Sequence, residues 1–351
     1  MVDKKSPILV TGGSGYIASW IIKFLLDEGY SVHTTVRNVN DKTKYSHLIK
    51  LSEDSNGSLK IFEADLLVSG SFEEAMKGCE LVMHTASPFF VTGIKDAEKQ
   101  LVEPAKNGTK NVLFSANKLG TVKRIVLTSS CAAIYGDNKD IEKTEKKIFS
   151  ENHWNITSNL ENNPYSFSKT EAEKLAWEIE KEQSVWDLVT INPAFVLGPS
   201  LTKRTDSTSI DTMVRLCNGN FFPAVPELWM GIVDVRDVAK SHILSGLNEK
   251  ASGRHILCAD SLELLQISKI LRNKYGGKYL FPLFHVPKFL VWMLAPFVGF
   301  TRDYIDKNME IKVSFDNSYT KKDLGLEFTP LENTILDHFE QLLDDGIISR
   351  N

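Results

Sequence analysis

Apolar residues along the first half of the chain fall into two alternating periods. Short continuous runs, Ile8-Leu-Val10, Leu81-Val-Met83 and Ile125-Val-Leu127, have the length and composition of strands buried on both faces. Between them lie longer stretches with apolar residues three or four apart, the period of an amphipathic helix. In chain order the pattern predicts a strand at 8–10, a helix at about 16–28 and a second strand ending near residue 37. A helix at 41–52, a strand at 58–62, a helix at 71–77 and a strand at 81–85 follow, then a long helix at 96–119, a strand at 124–128, a second long helix at 165–183 and a strand at 187–191. Strands alternating with helices of this length predict an α/β fold with a doubly wound parallel sheet. Beyond Pro193 the rhythm weakens, and residues 199–229 are rich in Ser, Thr, Gly and Pro. The expected organisation is discontinuous: residues 1–195 with about 232–260 form a nucleotide-binding Rossmann domain, and about 196–231 with 261–351 form a smaller substrate-binding lobe over its cleft.

The first strand, helix and strand carry a specific chemistry. Gly12, Gly13 and Gly15 follow the strand directly, where glycine permits a tight turn and close approach of the backbone to a phosphate. The helix that follows points its positive end at that phosphate. The second strand ends at Arg37, where an acidic residue would bond the ribose 2′-hydroxyl of NAD and an arginine accommodates the 2′-phosphate of NADP. Gly12, Ser14, Gly15, Tyr16, Ile17 and Arg37 are therefore the first candidates for a cofactor site, and NADPH is the expected cofactor.

Charge narrows the partners. With 41 Lys+Arg against 45 Asp+Glu and a net charge of -4, no basic footprint argues for nucleic acid, and small molecules are expected. The four cysteines, Cys79, Cys131, Cys217 and Cys258, are widely spaced, with no Cys/His cluster; a reducing compartment and no metal are expected. The start, Met-Val-Asp-Lys-Lys-Ser-Pro, runs straight into the first strand, so the expected location is the cytoplasm. Residues 279–300 resemble a membrane segment in composition, but His285, Lys288 and three prolines interrupt them. A buried helix or pocket wall is expected there, without membrane contact.

The second chemical feature is Pro164-Tyr165-Ser-Phe-Ser-Lys169. On a helix, residues four apart lie about 40° apart on one face, so the phenol and the ammonium point together. A neighbouring cation favours the phenolate, and Tyr165 is expected to act as general acid toward a carbonyl oxygen, with Lys169 lowering its pKa. The third is Thr128-Ser129-Ser130 at the end of the fifth strand, where a hydroxyl can bond the same oxygen; Ser130 is the first choice and Ser129 the second. His84 ends a strand beside this path and is expected to position backbone rather than carry protons. Asp234 or Asp237 is expected to cap a helix that holds the two lobes together.

Taken together, Thr11-Gly12-x-x-Gly15-x-x-Ala18, Asp65-Leu66, His84-Thr-Ala86-Ser-Pro88, Thr128-Ser-Ser130, Tyr165-x-x-x-Lys169 and Asn192-Pro193-Ala-Phe-Val196-Leu-Gly-Pro199 resemble the extended short-chain dehydrogenase/reductases. Within them the chain is similar to the branch of dihydroflavonol, cinnamoyl-CoA and aldehyde or carbonyl reductases. The resemblance implies a catalytic set of Ser130, Tyr165 and Lys169, with Lys169 also holding the nicotinamide ribose. It further implies Asp65 and Leu66 beside the adenine, Thr85, Ala86 and Thr128 along the cofactor path, and Pro193 and Val196 at the nicotinamide. Lys44 would join Arg37 on the 2′-phosphate, where a guanidinium binds in bidentate fashion. Substrate contacts are expected from Ser87, Pro88, Tyr135 and Phe195. Tyr135 stands where dihydroflavonol reductases place an asparagine, and Asn163-Pro164-Tyr165-Ser-Phe167 differs from the cinnamoyl-CoA reductase pattern; both weaken those two substrate assignments.

The function expected from these residues is NADPH-dependent reduction of an aldehyde or ketone to an alcohol by a monomer or homodimer. The rivals are a 3β-hydroxysteroid-type dehydrogenase, a dihydroflavonol reductase and a nucleotide-sugar epimerase or dehydratase. A non-enzymatic rival is an NADP-sensing regulator, against which the complete Ser/Tyr/Lys set stands.

Overall fold

The computed structural model describes residues 4, 6–87, 95–205, 207–297 and 299–349; Pro88 lies outside them. Seven strands form the main sheet: β1 (Ile8–Thr11), β2 (Ser31–Val36), β3 (Ser58–Glu63), β4 (Leu81–His84), β5 (Arg124–Thr128), β6 (Asp187–Pro193) and, later in the chain, β10 (Gly253–Leu257). Their order is β3-β2-β1-β4-β5-β6-β10, and every pairing is parallel. The continuous apolar runs have the reason the pattern implied. In β1, Ile8 and Val10 pack with α1 (Tyr16–Asp27), whereas Leu9 faces the opposite layer with Val112 and Leu113 of α4 (Glu103–Leu119) and Ala176 of α5 (Pro164–Lys181). A strand covered on both sides has no polar face to show.

Two predicted helices are modified locally. The segment at 41–52 splits into a 3-10 turn, Lys42–Lys44, and α2 (Ser46–Glu53). The predicted helix at 96–119 opens with a π-type turn, Glu98–Val102, before α4. Pro104 lies in the first turn of α4 and has no N–H to offer the carbonyl of residue 100, so the backbone re-registers there. A short α3 (Glu73–Met76) completes that layer.

The rest of the chain builds a second layer system. Strands β7 (Phe195–Leu197), β9 (Met230–Asp234) and β11 (Asp260–Leu262) form a mixed three-stranded sheet, and β8 (Ala224–Val225) pairs with β12 (Phe284–His285). Helices α6 (Thr208–Cys217), α8 (Leu264–Tyr275) and α12 (Leu331–Asp344) close over the three-stranded sheet through Met213, Leu216, Leu271 and Phe339. Helix α7 (Val235–Leu247) packs on α1. Asp234 caps it, accepting from Arg236 N at 2.8 Å, and Arg236 reaches Asp337 at 2.7 Å. Asp237 accepts the backbone N–H and hydroxyl of Thr329 at 2.6 and 2.9 Å. The start of α7 is thereby tied to the C-terminal segment.

Helix α9 (Lys288–Leu294) corrects the expectation of a buried segment at 279–300. Val291 and Ala295 are buried against Ile305 and Met309 of the region around α10 (Arg302–Asn308), but Phe289, Trp292, Met293, Leu294 and Phe297 are exposed. Composition alone did not distinguish a helix apolar all round and covered from one covered on a single stripe. Among the described residues no helix is long and apolar enough to cross a membrane.

Candidate active site

The glycine turn sits tightly against β2. Gly13 N–H donates to Thr35 O at 2.9 Å, Gly12 N–H to Thr35 Oγ1 at 3.1 Å, and Gly12 has a φ of +69°. A Cβ on Gly13 would stand 2.2 Å from Thr34 Oγ1, a hydroxyl that donates to Val10 O at 2.7 Å. Gly13→Ala is therefore expected to cost about 1–3 kcal/mol of stability, read by denaturant unfolding. Gly277→Ala, with nothing within 4 Å of the added carbon, serves as the near-neutral control.

Helix α1 begins beyond Gly15 with no side-chain cap and no acidic residue in its first turn. Its first N–H groups and its positive dipole end are left for an anion, the arrangement a dinucleotide phosphate fits. A cleft of about 760 Å³ opens there. It gathers Gly12, Ser14, Gly15, Tyr16, Arg37, Asp65, Leu66, Thr85, Ala86 and Ser87 from the carboxyl ends of β1 to β4. Thr128 and Lys169 line an inner recess that shares Leu66, Ala86 and Ser87 with this cleft.

Other expected residues fall outside that wall. Ile17 packs against the α1 core. Lys44 is exposed in the 3-10 turn and pairs with Asp41 at 3.6 Å. Pro193 ends β6 beside Leu257, Val196 packs on the α1 layer and Phe195 on the second-lobe core. The ring of Tyr135 stacks on Phe149 at 4.7 Å and meets Phe315 edge-on at 5.5 Å.

The far wall of the cleft comes from the 196–231 stretch expected to cover it, but its individual residues were not legible in the sequence. Ser200, Thr202, Arg204 and Ser207 line it from the segment between β7 and α6, and Arg204 Nη1 donates to Ser14 O in the glycine turn at 3.1 Å. These residues lie in an aperiodic stretch whose composition reads as ordinary loop.

At the inner end, Asn163 adopts a left-handed conformation and Pro164 starts α5, which sets Tyr165 and Lys169 one turn apart. The Lys169 ammonium lies 5.9 Å from the Tyr165 ring centroid and donates to Ser87 Oγ at 2.9 Å. Burial holds Lys169 down at about 8, opposed by the charge of Glu173. Burial also pushes the Tyr165 phenol up to about 12. The expectation that Lys169 lowers the phenol is corrected here: loss of water around the hydroxyl sets the direction.

The two serines separate clearly. Ser129 is buried and its hydroxyl donates to Glu173 Oε2. Ser130 Oγ accepts Ala132 N–H at 3.1 Å, a bond that leaves the hydroxyl proton unused. Thr128 Oγ1 is bonded to His242 Nε2 at 2.6 Å. His84 Nδ1 is bonded to Thr11 Oγ1 at 2.9 Å, and burial holds its imidazole neutral, at about 3. It ties β4 to β1.

Residues 8–259 match the NAD dependent epimerase/dehydratase family. The chain belongs to that family. Within it, a cinnamoyl-CoA reductase of Medicago truncatula is 38% identical over 339 residues, 95% of each chain. Tetraketide alpha-pyrone reductase 2 of Arabidopsis thaliana is 41% identical over 274 residues, 77% of this chain and 83% of the relative. The structure of Gre2 of Candida albicans in complex with NADPH superposes with a TM-score of 0.80 at 31% identity, covering 97% of this chain and 99% of that one. That superposition covers nearly the whole of this epimerase/dehydratase family member.

Proposed function

We propose that this chain is an NADPH-dependent reductase of an aldehyde or ketone. One observation carries the reading: Lys169, with the Tyr165 ring centroid 5.9 Å from its ammonium, lines a recess that adjoins a cleft holding the uncapped start of α1 and Arg37. Similarity to reductases, one of them solved with NADPH, supports it. Gly12, Ser14, Gly15 and Tyr16 would hold the pyrophosphate, Arg37 with Lys44 the 2′-phosphate, Asp65 and Leu66 the adenine, and Thr85, Ala86 and Thr128 the path between, with Pro193 and Val196 supporting it from behind the wall. NADPH bound there supplies the hydride to the carbonyl carbon.

The protein's own groups then serve the oxygen. A phenol at about 12 is protonated throughout the neutral range, and Tyr165 gives that proton to the oxygen as charge develops on it. The Ser130 hydroxyl donates a hydrogen bond to the same oxygen, and the Lys169 ammonium stabilises the phenolate left behind. The product is the alcohol. Residues 196–231 and 261–351, with Ser87, Tyr135 and Phe195, would shape the substrate side. Four free, buried cysteines fit a reducing compartment, the cytosol. Arg37 in place of a carboxylate speaks against an epimerase that retains NAD.

The test is purified protein with NADPH and a panel of aryl aldehydes, methylglyoxal and α-keto esters. Alcohol formation matched by NADPH oxidation is expected; none across the panel overturns the reading. Arg204 adds a second prediction, because it sets a cation against the glycine turn at the pyrophosphate end. Arg204→Ala is expected to weaken NADPH and NADH alike by about tenfold, the loss of one charge-assisted hydrogen bond, measured by nucleotide fluorescence titration.

A further inference from the structure

Behind the inner recess lies a buried ion pair. Glu173 on α5 and Arg254 on β10 are 1% and 8% exposed, and Arg254 Nε donates to Glu173 Oε1 at 2.6 Å. The carboxylate has a full set of donors. Asn192 Nδ2 stands 2.7 Å away on β6, Thr190 Oγ1 at 3.3 Å, Trp177 Nε1 at 3.4 Å, and the Ser129 hydroxyl completes the shell. Arg254 spends its other donors on the carbonyls of Glu151, His153 and Ala133 and lies 3.8 Å over the Trp154 ring.

This network is linked to the reacting groups in two ways, one a hydrogen bond and the other a helical spacing. Asn192 Nδ2 also donates to Ser130 O at 3.2 Å, so the carboxylate holds the main chain on both sides of the Ser129 to Ser130 peptide. Glu173 also follows Lys169 by four residues on one helix, the spacing at which a carboxylate and an ammonium are neighbours. Buried ion pairs are not in general stabilising relative to an apolar replacement. A pair placed here needs another reason.

We infer that Glu173, with Arg254 as its counter-ion, is a positioning residue for the reaction: its carboxylate keeps the Lys169 ammonium charged and, through Asn192, holds the main chain at Ser130. The inference rests on the reductase reading only for what the ammonium is used for. The groups around Lys169 leave Glu173 as the source of the field. Tyr165 on the same helix is protonated, and Ser87 is neutral. His84 on β4 and His242 behind Thr128 on α7 are held neutral by burial, at about 3 and about 4. Helix α4 faces the recess with Ala105 and Thr109. Against the burial that pulls Lys169 down, Glu173 alone pulls it up.

The test reads the lysine directly. In protein labelled with ε-13C-lysine, the Lys169 signal, assigned by its loss in Lys169→Arg, is expected to titrate near about 8 in wild type. In Glu173→Gln its midpoint falls by about one pH unit, and the high-pH limb of kcat moves down with it. Glu173→Gln also leaves the Arg254 guanidinium buried without its carboxylate, so that variant loses stability. Glu173→Gln with Arg254→Met removes the stranded charge and recovers part of the melting temperature, while the midpoint stays low. An unchanged midpoint in either variant, or one that returns to wild type in the double variant, overturns the inference. Should Glu173→Gln not fold, the double variant alone decides. A shifted midpoint in a protein that reduces no carbonyl would sink the reductase reading and leave the electrostatic coupling standing.

Discussion

Tyr165→Phe lowers the turnover of the carbonyl substrate by a factor of roughly 10² to 10⁴, the range spanned by a positioned general acid, while NADPH binds as to wild type. The substitution removes one oxygen and keeps the ring that packs beneath the Lys169 ammonium at 5.9 Å. The outer wall of the cofactor cleft is untouched, because Tyr165 does not line it. The loss falls on kcat, since the proton moves only as charge develops on the carbonyl oxygen. Steady-state kinetics with the best carbonyl of the panel, together with a fluorescence titration of NADPH, separate the two effects. A variant with wild-type kcat removes Tyr165 from the reaction. A variant with weakened NADPH and normal kcat makes it a cofactor contact instead.

Amino-acid order holds local demands more plainly than distant ones. The turn after β1 was legible because its demands are local: glycines at Gly12, Gly13 and Gly15, the helix that follows and Arg37 at the end of the next strand all lie within one short stretch. The doubly wound sheet was legible because two-sided burial writes itself as unbroken apolar runs such as Ile8 to Val10. Arg204 was not, because it meets Ser14 across 190 positions of chain, and no periodicity marks a loop that crosses from one lobe to the other. The sign at Tyr165 was not legible either. Spacing places Lys169 beside the phenol, but whether the cation or the loss of water governs the hydroxyl depends on what the fold packs around it. Glu173 sits in plain view one turn beyond Lys169. Its partner Arg254 is 81 positions away on β10, so its meaning emerges only with the sheet. The outward face of α9 was misread for a related reason, since Phe289, Trp292 and Phe297 have the composition of a core and no layer above them.

Arg37 carries the remaining large effect. It is exposed and lines the cleft one residue past β2, as do Asp65 and Leu66 just past the neighbouring β3. A guanidinium there has a clear run to a phosphate on the ribose, and a bidentate, charge-assisted pair contributes on the order of 2–4 kcal/mol. Arg37→Ala is therefore expected to weaken NADPH by roughly 30-fold to 10³-fold and to leave NADH nearly unchanged, because NADH has no phosphate to lose. Arg37→Glu goes further: it repels the 2′-phosphate and offers the 2′-hydroxyl an acceptor, so NADH becomes the better of the two nucleotides. Lys44→Ala has a much smaller effect, about twofold to threefold, because the Lys44 ammonium is exposed and already shared with Asp41 at 3.6 Å. The ratio of kcat/KM for NADPH and NADH, measured at one salt concentration, reads all three. If Arg37→Ala weakens both nucleotides equally, Arg37 meets the pyrophosphate or the adenine and does not select NADP. If it weakens neither, the specificity lies with the second-lobe wall, and Arg204 becomes the residue to vary next.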